Sequence, residues 1–126
     1  MKKNIGIIVI MSIGILVAIG IFSSGRGTPV AEALSGFAKC LTAKGFKMYG
    51  AYWCLHCQNE KAAFGKAFNY VNYVECTEKP EVCTSAGIKG FPTWITKDGR
   101  RFEGEMGIER LAEASSCSVS TVESKK

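Results

Sequence analysis

Hydrophobic positions divide the chain into an apolar N-terminal run and a longer region of mixed pattern. Ile5–Phe22 carries no charge. At about 1.5 Å per residue it makes a helix of about 27 Å, close to the roughly 30 Å hydrocarbon core of a bilayer. Lys2 and Lys3 precede the run, which places the N-terminus in the cytoplasm and the rest of the chain outside. We therefore predict a single-pass transmembrane anchor in residues 1–25. A cleaved signal peptide is the alternative, and both interpretations export the remainder to the periplasm or another extracytoplasmic space.

The pattern after this run predicts alternating helices and strands. Apolar residues spaced by three and four indicate helices, and alternation of apolar with polar residues indicates strands. The predicted helices are Val30–Ala43, Cys54–Tyr70, Pro80–Ala86 and Ile108–Ser115; the predicted strands are Phe46–Tyr52, Val71–Glu75, Thr93–Lys97 and Arg101–Glu103. The last two strands flank Asp98-Gly99, a hairpin signal. This order predicts an α/β fold with one central mixed sheet and helices on both faces.

Composition narrows the class of protein. The chain has 126 residues, 47% of them hydrophobic, which excludes a mostly disordered protein and allows one domain. From residue 23 onward no basic cluster is longer than Arg100-Arg101, so we expect no nucleic-acid partner. Six cysteines and one histidine are present. An even and high cysteine count in a short chain points to thiol chemistry outside a reducing cytosol.

The sharpest motif is Trp53-Cys54-Leu55-His56-Cys57, where a predicted strand ends and a helix begins. Two thiols in the first turn of a helix can close a small disulfide, and we expect only the first to face solvent. The N–H groups and dipole at the helix start favour the thiolate, so the pKa of Cys54 should fall. His56 adds a hydrogen-bond donor or a positive charge near the sulfur. An inert disulfide and half of a zinc site are the structural alternatives.

A second motif, Gly90-Phe91-Pro92-Thr93, precedes a predicted strand. The Trp-Cys-x-x-Cys motif, followed by this one before a hairpin, resembles the thioredoxin superfamily. The phrases FAKCLTAKGFKMYGAYWCLHCQ, YVNYVEC and AGIKGFPTW more narrowly resemble the thioredoxin-like domain that is fused to, or partners, bacterial and plant homologues of vitamin K epoxide reductase (VKOR). The resemblance assigns residues 37–117 to a thioredoxin-like domain. Residues 26–36 are then a tether with the start of the first helix, and residues 118–126 a flexible tail.

The resemblance implies roles for several residues. Cys54 would be the nucleophile and Cys57 the resolving thiol. Pro92 would be cis and would face Cys54, although the base rate for X–Pro bonds favours trans. The Phe91 backbone would pair with a bound peptide, and we expect Trp53, Leu55 and Phe91 to contact the substrate.

Two positions depart from these relatives. Leu55 replaces the proline usual in the VKOR-linked group, and Met48 stands where cytosolic thioredoxins keep a buried aspartate that assists proton transfer. The second departure leaves Glu60, Lys47 or water to take the proton of Cys57.

The other four cysteines are expected to be structural. If Cys54 and Cys57 form one pair, three pairings of the remainder are left. We prefer Cys76–Cys83, which would pin a short segment, and Cys40–Cys117, which would tie the terminal helices together. A redox relay through Cys76 or Cys83, and a four-cysteine zinc site, are the alternatives.

These observations predict a membrane-anchored thiol–disulfide oxidoreductase that forms or isomerises disulfides in exported, cysteine-containing clients. Its redox-active disulfide would serve without a further cofactor or metal. By resemblance, a quinone-linked VKOR-like membrane protein would reoxidise it. One alternative is a reductant for cytochrome maturation or other exported thiols, and another is a copper- or zinc-binding module.

Overall fold

The computed structural model describes residues 27–120, and these residues alternate helices with strands along the chain. The α-helices are α1 (Pro29–Ala43), α2 (Leu55–Phe64), α3 (Pro80–Ser85) and α4 (Gly107–Ser115); a 3-10 helix spans Gly65–Tyr70; and the strands are β1 (Lys47–Gly50), β2 (Asn72–Glu75), β3 (Thr93–Ile95) and β4 (Arg101–Glu103). Each predicted element has a counterpart, with ends that differ by a few residues.

The four strands of the described region form one sheet in the order β2-β1-β3-β4. β1 pairs parallel with β2 and antiparallel with β3, and β3 pairs antiparallel with β4. A parallel pair needs a long crossover, which α2 and the 3-10 helix supply between β1 and β2. The sheet is therefore mixed, as the pattern predicted.

Side chains alternate across β1, so the sheet has two differently covered faces. On one face Gly50 approaches Cys57 of α2. On the other, Tyr49 packs in a small cluster with Cys76 and Cys83, the latter on α3. Helices thus cover both faces, and β1, in the middle of the sheet, carries the strand end that leads into α2.

The main core is apolar and aromatic. Its largest fully buried side chains include Phe37 and Leu41 of α1, Phe64 of α2 and Trp94 of β3. Phe64 stacks on Phe37 at 5.9 Å between ring centroids and lies 6.3 Å from Trp94. α1, the C-terminal end of α2 and the sheet therefore meet on these rings.

The predicted single helix over Cys54–Tyr70 is shorter in the structure. The α-helix ends at Phe64, and Gly65 has a positive φ of +55°, a backbone conformation that glycine adopts without steric cost. The chain then continues as a 3-10 helix to Tyr70. The glycine that was expected only to weaken the helix therefore ends it.

The predicted anchor, Ile5–Phe22, lies outside the described residues, as does most of the predicted tail. Among the helices of residues 27–120, none is both long enough and apolar enough to cross a bilayer.

Candidate active site

Cys54 occupies the junction between β1 and α2. It is the residue before the first turn of α2, and its extended backbone (φ −77°, ψ 117°) turns the chain into the helix. The Cys57 backbone N–H donates to Cys54 Sγ at 3.2 Å, and the Cys54 thiol lies 3.6 Å from the Phe91 carbonyl oxygen. The sulfur thus sits at the positive end of a helix, where a negative charge is stabilised.

The two thiols of the motif differ in access to solvent. Within the described region Cys54 and Cys57 are free thiols; Cys54 is 7% exposed and Cys57 is 0% exposed. Burial, together with the hydrogen bond to Cys54, raises the pKa of Cys57 to about 12, although the nearby charge of Lys61 opposes the rise. Cys57 is therefore a protonated thiol at neutral pH, and an external reactant meets Cys54 first.

The Phe91–Pro92 peptide bond is cis. Pro92 is buried and directly precedes β3, whose antiparallel pairing with β1 brings this segment beside the motif. The Phe91 carbonyl faces Cys54, and the Phe91 ring meets the edge of the Trp53 ring at 5.9 Å between centroids. The two motifs that are separate in sequence thus lie together around one sulfur.

Apolar side chains surround Cys54 at the surface. Trp53 is 61% exposed, Leu55 is 65% exposed, and Tyr52, which the sequence analysis did not select, is 67% exposed. Large exposed apolar side chains next to a reactive group are typical of a surface that contacts another protein. The signal for Tyr52 was its place directly before the motif.

His56 turns away from the interior and pairs with an acidic side chain. Its Nδ1 lies 3.0 Å from Glu105 Oε2, and Asn59 Nδ2 donates to the same oxygen at 3.2 Å. These contacts, the one with His56 first, hold the pKa of Glu105 below its usual value. The tuning role of His56 stays a prediction, and the structure adds Glu105 as its partner.

Several curated relatives share sequence with this chain. It is 42% identical over 105 residues to Thiol-disulfide oxidoreductase LTO1 of Arabidopsis thaliana, a match that covers 76% of this chain and 27% of that protein. It is 37% identical over 76 residues to Protein disulfide isomerase-like 2-2 of Oryza sativa subsp. japonica. It is also 33% identical over 76 residues to Probable protein disulfide-isomerase A6 of Medicago sativa. The domain is thioredoxin-like.

The shared region is limited in extent. The two isomerase matches cover 50% of this chain and 20% or 21% of those proteins. The chain therefore spans between 20% and 27% of the length of these three relatives. No protein-family model matches the chain. The similarity therefore concerns the thioredoxin-like domain and not the whole of these larger proteins.

A polar group lies behind Cys57 in this thioredoxin-like domain. A Cβ placed on Gly50 would lie 3.0 Å from Cys57 Sγ and 3.3 Å from Tyr73 Oη, so the thiol and the phenol flank the same point. Tyr73 Oη donates to Glu75 Oε2 at 2.6 Å. Lys61 Nζ lies 3.9 Å from the centre of the Tyr73 ring and 4.0 Å from Glu75 Oε2.

Glu75 is held by several donors. Besides the Tyr73 hydroxyl it accepts the Tyr52 N–H at 3.1 Å and the Thr77 hydroxyl at 2.8 Å. Burial alone would raise the pKa of Glu75, but these hydrogen bonds outweigh it and hold the pKa below its usual value. Alternation along a strand puts Tyr73 and Glu75 on one face, but only the sheet register shows that they lie near Cys57, so the sequence pattern alone does not indicate this group.

The two residues named as acceptors for the Cys57 proton have other surroundings. Glu60 is fully buried, and its carboxylate accepts the N–H groups of Met106 and Gly107 at 2.7 and 3.0 Å, at the start of α4. Burial raises the pKa of Glu60. Lys47 precedes the buried Met48 on β1, so it points to the opposite face of the sheet from Met48 and Gly50.

The remaining cysteines form two disulfides in the described region. Cys40 of α1 joins Cys117 after α4, and Cys76 after β2 joins Cys83 of α3. This is the pairing preferred from the sequence. Within residues 27–120, no three His, Cys, Asp or Glu side chains lie together as metal ligands would.

Proposed function

We propose that the protein is a thiol–disulfide oxidoreductase that forms or isomerises disulfides in exported client proteins through Cys54 and Cys57. The observation that carries the proposal is the contrast between the two thiols: Cys54 keeps a small exposed fraction of 7% and lies next to the Phe91 carbonyl, whereas Cys57 is fully buried. The name of the Arabidopsis relative, a thiol-disulfide oxidoreductase, supports the same activity.

The proposed reaction begins with the oxidised pair. A client thiolate attacks Cys54 Sγ, the Cys54–Cys57 bond breaks, and Cys57 leaves as the thiolate, which takes up a proton. A second client thiolate then attacks the client sulfur of the mixed disulfide and releases Cys54. The client gains one disulfide, and two electrons remain on the Cys54/Cys57 pair.

We also propose an extracytoplasmic location and a membrane anchor. The uncharged run behind Lys2 and Lys3 supports the anchor, and two disulfides in so small a domain are typical of an oxidising compartment. A VKOR-like, quinone-linked membrane protein would accept the two electrons. Anchoring would keep the domain at a high effective concentration near such a partner.

A dithiol-oxidation assay tests the activity. The purified full chain, oxidised at Cys54 and Cys57, is mixed with a reduced client peptide carrying two cysteines. We expect rapid transfer of the disulfide, which Cys54→Ala abolishes. In the reverse direction, reduced Cys57→Ala is mixed with the client peptide in its disulfide form; Cys54 attacks that disulfide and should remain trapped in a mixed disulfide, because no resolving thiol is present. Full activity in Cys54→Ala would refute the assignment.

The reduction potential decides between oxidation and reduction of clients. Equilibration of the pair with glutathione buffers, with both outer disulfides intact, should give a value near about −120 to −180 mV for an oxidase or isomerase. A value near about −270 mV, as in thioredoxin, would contradict the proposed direction and favour the reductant.

A further inference from the structure

Tyr73 and Glu75 have no part in the attack on Cys54, yet the Tyr73 hydroxyl and the Cys57 thiol, which must exchange a proton, flank the same point above Gly50. We propose that Tyr73 and Glu75 form the route by which Cys57 exchanges its proton with solvent. This inference rests on the proposed function, because it concerns the resolving thiol of that reaction. In this proposal residues of β2 transfer the proton of Cys57. In cytosolic thioredoxins a buried aspartate assists this transfer, and Met48 stands at its position in this chain.

The sheet register brings the route into place. β1 and β2 run parallel with Gly50 opposite Glu75 and Met48 opposite Tyr73. Since Gly50 has no side chain, the space above it is filled by Cys57 Sγ from α2 and the ring of Tyr73 from β2. No hydrogen-bonding side chain on β1 comes between the thiol and the phenol.

The hydroxyl of Tyr73 is suited to pass a proton on. It donates to Glu75 Oε2 at 2.6 Å, and its oxygen keeps lone pairs that can accept from a thiol. Glu75 has a side chain that is 14% exposed, so its carboxylate reaches solvent. The three groups therefore lead from a fully buried sulfur to the surface.

The step can be written with its protons and electrons balanced. When Cys57 resolves a mixed disulfide, its sulfur bonds to Cys54 Sγ and the bond from Cys54 to the client sulfur breaks, with the electron pair leaving on the client thiolate. The Cys57 proton passes to Tyr73 Oη while the Tyr73 proton passes to Glu75, which releases it to solvent. The reverse sequence delivers a proton to Cys57 when it is the leaving group.

The charges around Cys57 fit this direction of transfer. The titratable groups that face it are Cys54 before α2, Lys61 of α2 and Tyr73 of β2, with Glu75 behind Tyr73. Burial, followed by the bond to Glu75, raises the pKa of Tyr73, so the phenol stays neutral and passes protons without storing charge. The hydrogen bonds that lower the pKa of Glu75 keep it ionised as the acceptor.

The test separates the two thiols in one experiment. The full chain in detergent, reduced at Cys54 and Cys57 with both outer disulfides intact, is mixed with excess dithiobis(nitrobenzoate). Attack by Cys54 releases one coloured thionitrobenzoate and leaves a mixed disulfide; attack by Cys57 then releases a second. The first phase reports Cys54 and the second reports Cys57.

The informative variant is Tyr73→Phe, which removes the hydroxyl and keeps the ring beneath Lys61. We expect the first phase unchanged and the second slowed about tenfold or more, within the usual contribution of positioned proton transfer. The wild-type second phase should vary little between about pH 6 and about pH 9, whereas that of Tyr73→Phe should rise about tenfold per pH unit with the thiolate fraction. Glu75→Gln should show the same slope.

The matched control is Tyr49→Phe, which removes the hydroxyl of a buried tyrosine on the opposite face of the sheet. It should leave both phases and their pH dependence as in wild type. A flat second phase in both Tyr73→Phe and Glu75→Gln overturns the route while leaving the proposed function intact. A wild-type protein without a second phase contradicts the function itself. Should Tyr73→Phe not fold, a wild-type second phase that already rises tenfold per unit overturns the route.

Discussion

Gly50 offers the most direct test of how closely the site is packed. A methyl group added there would lie 3.0 Å from Cys57 Sγ and 3.1 Å from Tyr73 Cε2, whereas carbon atoms in contact prefer about 3.5–4.0 Å. Neither neighbour moves freely: Cys57 is on the first turn of α2, and Tyr73 is held by Glu75. Gly50→Ala should therefore strain the site.

The magnitude follows from two opposing effects. Inserting a methyl group into a packed interior costs about 1–3 kcal/mol. Replacing a strand glycine by alanine recovers about 0.5–1 kcal/mol, because the unfolded chain loses freedom. We expect Gly50→Ala to lower the free energy of unfolding by about 1–2 kcal/mol and to slow the second, Cys57-dependent phase of the dithiobis(nitrobenzoate) reaction.

Gly36 supplies a control of the same chemical change with the opposite sign. It lies exposed within α1, and a Cβ there would meet nothing within 4 Å. Glycine in a helix interior costs about 1 kcal/mol relative to alanine, so Gly36→Ala should raise the free energy of unfolding by nearly that amount. It should leave both phases of the thiol reaction unchanged.

Urea unfolding of the two variants and the wild type measures these differences, with the disulfides intact throughout. Equal slopes against denaturant would show that only stability has changed. If Gly50→Ala proved as stable as wild type, with an unaltered second phase, the close approach of Cys57 and Tyr73 around Gly50 would be wrong, and with it the basis for the proton route.

Further predictions concern the disulfides and a buried acid. Cys40 and Cys117 are 77 residues apart, and Cys76 and Cys83 are 7 apart. In the chain-entropy model, replacing the first pair by alanine should lower the free energy of unfolding by about 4.5 kcal/mol, and replacing the second pair should lower it by about 2.4 kcal/mol. Guanidinium unfolding would contradict the model if removal of Cys76–Cys83 were the more destabilising change. Burial raises the folded-state pKa of Glu60 above the 4.5 of an exposed carboxyl. The stability of the folded state that is linked to this shift is therefore complete below about pH 4.5 and is lost as the pH rises through the folded-state pKa. The stability of wild type relative to Glu60→Gln should therefore fall as pH rises, and urea unfolding from about pH 4 to about pH 8 would show a rise if this is wrong.

The fold could be predicted because its signals are local. The alternation in β1 and the apolar stripe of α1 each follow from consecutive residues, and their order implied a mixed sheet. The sequence does not predict the end of α2, because a glycine within a helical pattern can either weaken the helix or end it. Only the positive φ of Gly65 in the structure shows that it ends the helix.

The site was predictable only where its residues are adjacent in sequence. The two motifs around Cys54 and Pro92 can be recognised from the types and spacing of their residues. Glu105 and Tyr73 do not, because one approaches His56 from beyond β4 and the other approaches Cys57 through the register of β2 on β1. Glu60 was considered as a proton acceptor because it is acidic and near the motif, but tertiary packing directs it to the N–H groups that begin α4.

Geometry alone assigns the order of the two thiols but not the direction of electron flow. A slightly accessible Cys54 and a fully buried Cys57 serve a client that gives electrons and one that takes them equally well, since every exchange step is reversible. Direction depends on how strongly the reduced pair is stabilised relative to the disulfide. In the reduced pair the Cys57 N–H donates to Cys54 Sγ at the start of α2. A contact that stabilises the reduced pair makes its disulfide a stronger oxidant. This stabilisation is our reason for proposing that the protein oxidises its clients. The reduction potential measures it directly, as the stability of the reduced pair relative to the disulfide.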